Sequence, residues 1–198
     1  NGETDERAKE NVVSGSSTSS FDRTVKIDGI NFLTRWEHKK SNNSELTTQF
    51  YFDHASRRGA TTKRNIVDTY DFDFQYRLQL GEKQKIIWGA GQRFIVDSFE
   101  DSVAIQLNPR NRLSYITSAF IQDDIQILPN RLKLTLGSKF ELNNYTGIEV
   151  QPSIRALWTP EKNHSFWAAI SRAVRTPTRA EDSIRINSRF SGANLVAL

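Results

Sequence analysis

Residues 70–80, YDFDFQYRLQL, alternate strictly between apolar or aromatic side chains and polar ones. Successive side chains of a β-strand point to opposite faces of its sheet, so this pattern predicts a strand with one apolar face and one charged face. A helix with this sequence would spread both kinds of side chain around its whole surface. The chain must therefore form a sheet whose two faces meet very different surroundings.

Similar alternation recurs along the chain in segments of about 11 residues, separated by turn-forming residues. The connections alternate between short turns and longer loops, which is typical of a meander whose two ends differ. We predict an all-β fold, an antiparallel up-and-down meander of about eight long strands, without a helix. The predicted strands lie at about 28–38, 45–56, 65–80, 85–95, 113–127, 131–142, 148–158 and 165–175.

Strand length favours a membrane sheet over a soluble one. Strands of soluble proteins are most often about 5–6 residues long. A strand of about 11 residues covers about 36 Å, or about 28 Å of height when it is tilted by about 40°. That height is close to the apolar band of an outer-membrane barrel, so we predict transmembrane strands.

Four tryptophans support the same interpretation, because Trp is enriched where a membrane protein crosses the lipid–water interface. Each lies close to a short turn, so we expect all four to form part of one aromatic girdle: Trp36, Trp88, Trp158 and Trp167. Two alternatives remain open. One is a complete small eight-stranded outer-membrane barrel, acting as an adhesin or a structural protein, and the other is a soluble β-sandwich that binds a carbohydrate or a protein.

Composition excludes several other classes of protein. Hydrophobic residues make up 37% of the 198 residues, so we do not expect a conventional oily core. The absence of cysteine rules out disulfides and thiolate metal sites. The net charge of +4 is spread without a Lys/Arg block, so no nucleic-acid partner is expected. No apolar run approaches the roughly 20 residues of a membrane helix.

Residues 118–179 contain a series of short motifs at strand-sized spacing. They are SAF and QD within 118–123, LGSKFE at 136–141, QPS at 151–153 with Arg155, Leu157 and Trp158, and SRA and RTP within 171–177. In this order the motifs resemble the β-barrel of TonB-dependent outer-membrane receptors. Residues 26–117 are compatible with the same family.

The resemblance implies a 22-stranded barrel in the bacterial outer membrane, filled by an N-terminal plug. Such receptors take up a ferric siderophore, cobalamin or a similar bulky ligand without altering it chemically, so neither enzymatic activity nor a cofactor is expected. The implied partners are outer-membrane lipid, a small-molecule ligand (a metal chelate or a vitamin) and the periplasmic energy-transducing protein TonB. TonB would be reached through a plug segment that this sequence lacks.

We expect the chain to be an interior fragment of such a receptor, because neither a plug nor a final strand ending in an aromatic residue is recognisable in it. The expected organisation is a polar loop or tail over 1–25, a partial barrel over 26–177 and an extracellular loop segment over 178–198. The first and last strands of an isolated fragment would have open edges, so we expect it to form oligomers or aggregates.

Arginines and a tyrosine near the loop end of the strands are the candidate ligand-binding residues, because both side chains suit an anionic siderophore. These residues are Arg93, Arg110, Arg112, Tyr145 and Arg175. The same side chains would serve equally to anchor loops or to face the plug. Strict alternation along the last strand favours Arg175 over Arg172 as the lumen-facing arginine.

Other polar residues form no recognisable metal or catalytic site. Asp71 and Asp73 share the polar face and are expected to line the lumen. Asp123 and Asp124 are adjacent and should point to opposite faces. No metal site is expected from the three histidines, which lie in separate segments: His38, His54 and His164.

Overall fold

The computed structural model describes residues 2–14, 17–59, 62–102, 105–186, 188–191 and 194–197. Strands make up most of this length. They are β1 (Gly2–Ser14), β2 (Ser17–Ser41), β3 (Ser44–Gly59), β4 (Thr62–Leu80), β5 (Gln84–Glu100), β6 (Ile105–Leu107), β7 (Asn111–Leu128), β8 (Leu132–Asn143), β9 (Gly147–Glu161), β10 (His164–Ser171), β11 (Ile184–Ile186), β12 (Ser188–Ser191) and β13 (Asn194–Ala197). The helix α1 spans Arg179–Ser183. Within these ranges, no helix has the length and apolar character needed to cross a membrane.

Nine strands form one sheet in the order β1-β2-β3-β4-β5-β7-β8-β9-β10, with each long strand beside the next along the chain. All of their pairings are antiparallel, so the predicted up-and-down meander is confirmed. β1 does not pair with β10 in the described residues, which is inconsistent with a closed eight-stranded barrel. The other sheets there have two strands each, β6 with β11 and β12 with β13, which is inconsistent with a β-sandwich.

The register between strands separates the side chains into an apolar face and a polar face. Phe72 of β4 is opposite Phe50 of β3, whereas Asp71 is opposite Tyr51 of β3 and Arg93 of β5. Each step along a strand changes the face. At residues 70–80, the alternation predicted from the sequence therefore places the aromatic side chains on one side of the sheet and the charged side chains on the other.

The sheet encloses almost no apolar core. Among the side chains that the structure describes, the buried apolar ones are Val25, Phe99 and Leu107. By contrast, Phe32 is 55% exposed and Ile170 is 73% exposed on the apolar face. Removing apolar surface from water is worth about 25 cal/mol per Å², so a continuous apolar face of this kind is suited to contact with lipid rather than with water.

An aromatic cluster marks the apolar face near the short turns. The ring of Trp88 lies 6.0 Å from that of Tyr76, and the ring of Trp158 lies 5.6 Å from that of Phe166. Trp36 lies on the same face of β2, close to the turn into β3. These residues form the girdle that the sequence predicts for one end of the strands.

The expectation that Trp167 joins this girdle is wrong. Trp167 is opposite Leu157 and lies on the polar face, whereas Phe166 is opposite Trp158 on the apolar face. The pairing of β10 with β9 shifts between His164 and Phe166. Such a bulge changes which residues share a face, and the alternation of a single strand does not reveal it.

Residues 1–25 also differ from expectation where they are described. Gly2–Ser14 is not an irregular loop or tail but pairs along its whole length with the first half of β2. A strand that projects beyond the lipid meets water on both faces, so it needs no apolar alternation to pair through its backbone. Residues 2–14 therefore lack the alternation of apolar and polar residues from which the other strands were predicted.

At its other end, the sheet stops before the expected position near residue 175. β10 ends at Ser171, and the Arg172 amide makes a last bond to the carbonyl of Pro152, at 3.0 Å. The chain leaves the sheet edge after this bond. Further along, Pro177 has no amide hydrogen with which to resume a ladder.

Residues 178–186 form a short regular segment where an irregular loop and no helix were expected. Thr178 caps α1 in a capping box: its hydroxyl accepts from the Glu181 amide, and the Glu181 carboxylate accepts from the Thr178 amide at 2.8 Å. β11 then pairs with β6, which lies in the connection between the strands predicted at 85–95 and 113–127. Two segments predicted as separate loops thus form one structure.

Candidate ligand site at the loop end of the polar face

Residues 172–186, here called the strap, cross the polar face at the loop end of the sheet. The Thr176 hydroxyl donates to the Glu141 carboxylate of β8 at 3.3 Å. The Arg179 Nε donates to both carboxylate oxygens of Asp97 on β5, at 3.0 and 3.1 Å. Glu141 and Asp97 are polar-face residues, so the strap lies on the side of the sheet that carries the charges.

The Arg179–Asp97 pair is the most deeply placed contact of the strap. The two side chains are 16% and 7% exposed, and Arg179 also donates to the carbonyl of Pro109. A buried charge is stable only when a partner compensates it. The pair therefore fixes the start of α1 against β5 and against the connection that precedes β7.

Arg112 lies at the centre of the contact between the strap and the sheet. Its guanidinium stacks over the ring of Tyr145 at 4.7 Å and contacts the carboxylate of Asp182, with Ser183 Oγ at 3.2 Å. Hydrogen bonds from the Ser183 hydroxyl and the Arg112 guanidinium lower the pKa of the Asp182 carboxyl. Arg112 thus holds an anionic group donated by its own chain.

The position of Tyr145 follows from the turn between β8 and β9. The Asn143 side-chain oxygen accepts from the backbone amides of Tyr145 and Thr146, both at 2.8 Å, which fixes the turn. The Tyr145 hydroxyl then lies 3.4 Å from Ser114 Oγ on β7. Arg112 is therefore held by β7, and Tyr145 by the hydrogen-bonded turn that follows the neighbouring strand β8.

A polar cavity of about 150 Å³ lies deeper on the same face. Arg93 contacts Asp71, and Lys139 lies 3.0 Å from Glu141, so cations and carboxylates alternate along its wall. Gly91 keeps it open, because a Cβ there would lie 2.7 Å from Asp73 Oδ1. The remaining wall residues are Gln92, Ile116 and Ser118. Asp71 and Asp73 thus lie on the polar face, as expected.

The structure brings only two of the five candidate ligand residues into contact, Arg112 and Tyr145. Arg93 lies in the deeper cavity. Arg110 pairs with Asp101 at 2.6 Å on the connection before β7, and Arg175 pairs with Glu181 through two bonds of 2.8 and 3.0 Å. The contacts of Arg110 and Arg175 match the loop-anchoring alternative. Each of the four arginines holds a carboxylate of its own chain.

Arg172 also contacts the polar face, although the sequence favoured Arg175 as the lumen-facing arginine. Its guanidinium bonds to the Glu149 carboxylate at 2.9 Å and to the carbonyl of Val150. Glu149 belongs to the polar face, although strict alternation from Ile170 would give Arg172 the apolar face. Alternation ceases to apply because β10 has already ended, so both Arg172 and Arg175 contact carboxylates.

Arg179 and Asp97 are the main site residues that the sequence analysis missed. They are 82 positions apart, and a single sequence contains no signal that pairs them. The helix that positions Arg179 does have a signal, the T-x-x-E pattern of residues 178–181, which is typical of a capping box. Reading that pattern would have predicted α1, though not its docking.

Hydrogen-bond partners near the short turns confirm one further prediction. Asp124 lies on the polar face with Lys133 at 2.9 Å, whereas Asp123 lies between Ile86 and Leu136 on the apolar face. The two adjacent carboxylates therefore point to opposite faces. In the part of the chain that the structure describes, no group of three or more His, Asp or Glu side chains is placed to hold a metal ion.

An open antiparallel sheet with an exposed apolar face, a girdle of aromatic residues and a charged inner face is the wall of a transmembrane barrel. The family model for the TonB-dependent receptor-like β-barrel matches residues 3–195. The chain therefore belongs to that family, as the motifs of residues 118–179 indicated.

Solved structures give the same fold. The siderophore receptor PirA from Pseudomonas aeruginosa superposes with a TM-score of 0.67 at 18% identity, over 81% of this chain and 29% of that one. The siderophore receptor PirA from Acinetobacter baumannii gives a TM-score of 0.59 at 17% identity, over 78% of this chain and 26% of that one. The chain thus spans less than a third of either receptor. No curated protein matches it in sequence.

Proposed function

We propose that this chain is part of the wall of an outer-membrane receptor that takes up a ferric siderophore, or a similar bulky anionic chelate, by TonB-dependent active transport. The observation that carries the proposal is the division of a family member's sheet into a lipid-suited apolar face and a charged face. The names of the two similar solved structures, both siderophore receptors, support this class of ligand.

In this proposal the meander belongs to a 22-stranded barrel, with the apolar face against outer-membrane lipid and the polar face around the lumen. A plug and its contact with the periplasmic protein TonB would be supplied by other parts of the receptor. The ligand is moved rather than converted, so the chain needs no catalytic residue and no cofactor.

Arg112 and Tyr145 are the residues that we expect to meet the ligand first. Asp182 now occupies the guanidinium of Arg112, and an anionic oxygen of a chelate would bind the same donor atoms. Release of Asp182 would free one end of α1 from the sheet. Arg93 lies deeper on the same face and would meet the ligand later. Arg110 and Arg175 act in this account by holding the loops around the entrance.

The test is uptake of radioiron by cells that carry the full-length receptor and no other receptor for the same chelates. Ferric catecholate, hydroxamate and carboxylate chelates would be offered in turn, with and without TonB. We expect TonB-dependent uptake of at least one of them. A receptor that reaches the outer membrane and transports none of these chelates, or transports cobalamin instead, would contradict the proposal.

The variant Arg112→Ala tests whether Arg112 itself binds the chelate or only adds to the positive charge of the lumen. Removing a charge-assisted hydrogen bond costs about 1.5–3 kcal/mol, so we expect the affinity for the transported chelate to fall about 10-fold or more. Arg155→Ala is the matched control, because Arg155 lies on the polar face in the middle of β9. Equal affinity losses in both variants would contradict a ligand role for Arg112.

A further inference from the structure

A hydrogen-bonded polar pair interrupts the apolar face in the middle of the sheet. The Thr117 hydroxyl of β7 donates to Gln92 Oε1 of β5 at 2.6 Å, and the two residues are directly opposite each other. Phe72 lies beside Gln92 on β4, and Leu142 lies beside Thr117 on β8. Gln92 is about 10 Å in height from Trp88 of the girdle, inside an apolar band about 25 Å tall. The pair therefore faces the hydrocarbon region rather than water.

The pair leaves hydrogen-bonding groups that lipid tails cannot satisfy. A glutamine side-chain nitrogen carries two hydrogens, and in the described part of the chain the Gln92 nitrogen has only a long bond of 3.4 Å, to the carbonyl of Arg93. The Thr117 hydroxyl gives its one hydrogen to Gln92, so its oxygen is still able to accept a bond. Gln92 is half-buried and Thr117 is exposed, so the pair is open to contact from the lipid side. An unpaired polar group in hydrocarbon is costly, so a further polar partner there would stabilise the pair.

Alanines beside the pair permit close approach from the lipid side. Ala90 of β5 is opposite Ala119 of β7, and their neighbours in the same row are Phe74 on β4 and Phe140 on β8. The outer wall of a barrel is convex, so two barrels come closest along a line of one or two strands. Small side chains on that line let the two backbones approach, and the phenylalanines on either side then pack against the second wall. The polar pair therefore lies where a second barrel comes within hydrogen-bond distance.

A second copy of the same surface supplies the groups that the pair lacks. Two receptors in one membrane have the same orientation, so a two-fold axis between them lies along the membrane normal. Rotation about that axis exchanges left and right but keeps height, so β5 of one copy faces β7 of the other. Register neighbours on strands tilted by about 40° differ by about 3 Å in height, which a glutamine side chain spans. The Gln92 nitrogen of each copy is then placed to donate to the Thr117 hydroxyl of the other.

We propose that Gln92 and Thr117 form the centre of a homodimer contact on the outside of the barrel, with the wall of β5 and β7 against the same wall of a second copy. The occupant is a second copy because donor and acceptor are complementary across a two-fold axis, whereas a lipid tail offers neither group. The contact lies on the opposite face from the strap and is independent of the transported ligand. It rests on the proposed function only in that the receptor must lie in the outer membrane.

The test measures the dissociation constant of the dimer in phospholipid vesicles, by energy transfer between full-length receptors that carry donor or acceptor dyes, at increasing protein density. Gln92→Leu keeps the approximate size of the side chain and removes both hydrogen bonds between the copies. Hydrogen bonds between membrane segments are individually modest, so we expect loss of the two bonds to raise the dissociation constant about 10-fold. Ala119→Phe should abolish energy transfer, because a large side chain there would hold the two walls apart.

A matched pair of threonine substitutions separates this contact from the rest of the apolar face. Thr117→Val removes the acceptor and should weaken the dimer, whereas Thr34→Val should leave it unchanged, because Thr34 lies in the same register row of the same face but on β2. No density-dependent transfer by the unaltered receptor, an unchanged dissociation constant for Gln92→Leu, or equal losses in the two threonine variants would each overturn the inference. Radioiron uptake by the same variants is read separately, so loss of the dimer with normal uptake leaves the proposed transport function intact.

Discussion

Phe74 and Gln75 of β4 provide the sharpest comparison between the two faces of the sheet. Phe74 lies on the apolar face, opposite Thr48 and Ala90, and its ring is 5.2 Å from that of Trp88. It is about 10 Å in height below Tyr70, close to the middle of an apolar band about 25 Å tall. Gln75 is the next residue and lies on the polar face.

Phe74→Arg should destabilise the folded barrel by about 3–5 kcal/mol. An arginine on the lipid face costs about 2–4 kcal/mol at the bilayer midplane, and loss of the aromatic contact with Trp88 adds about 0.5–1.5 kcal/mol. Gln75→Arg introduces the same side chain into a polar, hydrated environment, so we expect a change within about 1 kcal/mol. The two substituted residues are adjacent in sequence and lie on opposite faces of the sheet.

The assay is guanidinium unfolding of the full-length receptor in phospholipid vesicles, followed by tryptophan fluorescence. The difference between the two variants should appear as a lower denaturation midpoint for Phe74→Arg, together with a lower yield in the outer membrane. Equal stability of the two variants, or a greater loss for Gln75→Arg, would refute the assignment of the lipid-facing side.

Two further predictions concern packing and pH. Gly89→Val should lower the free energy of unfolding by more than about 2 kcal/mol in the same assay, because a Cβ there would lie 2.7 Å from Cε1 of Phe120. The neighbouring substitution Ala90→Val, on the lipid face, should lower it by less than half as much. Equal destabilisation by the two substitutions would contradict steric crowding at Gly89. Hydrogen bonds from Arg175, and then from the Thr178 cap, lower the pKa of Glu181 to about 2. The contribution of Glu181 to strap attachment is therefore present above about pH 4.5 and lost as the pH falls toward 2. The protection of the amides of residues 172–186 against hydrogen exchange, relative to the intrinsic exchange rate at each pH, should fall in that window. The same loss of protection in a Glu181→Gln variant would contradict the assignment.

The alternation of residues along single strands predicted the faces of the sheet, because the period of two is a local property of extended backbone. It therefore located the aromatic residues of the girdle, the polar-face aspartates and the antiparallel meander. It failed for Trp167, where a register shift between β9 and β10 decides the face. Pairing between strands is not a local property, so the sequence of one strand does not contain it.

The candidate site was predictable only in part. Arg112 and Tyr145 were expected at one end of the meander because strands that alternate in direction bring their loops together there. The docking of the strap was not predictable, because it depends on contacts such as Arg179 with Asp97, which are distant in sequence. Polar strands such as β1 were missed since their pairing involves backbone groups that every residue has.

The most direct test of the account is a scan of residues 70–80 with single cysteines carrying a nitroxide label, in the full-length receptor placed in lipid vesicles. The 198 residues contain no cysteine, so within this chain each label reports one position. The account predicts that accessibility to oxygen, which concentrates in lipid, is high at even positions, and that accessibility to a water-soluble nickel complex is high at odd positions. Equal access of the nickel complex to both sets would contradict a lipid-facing strand.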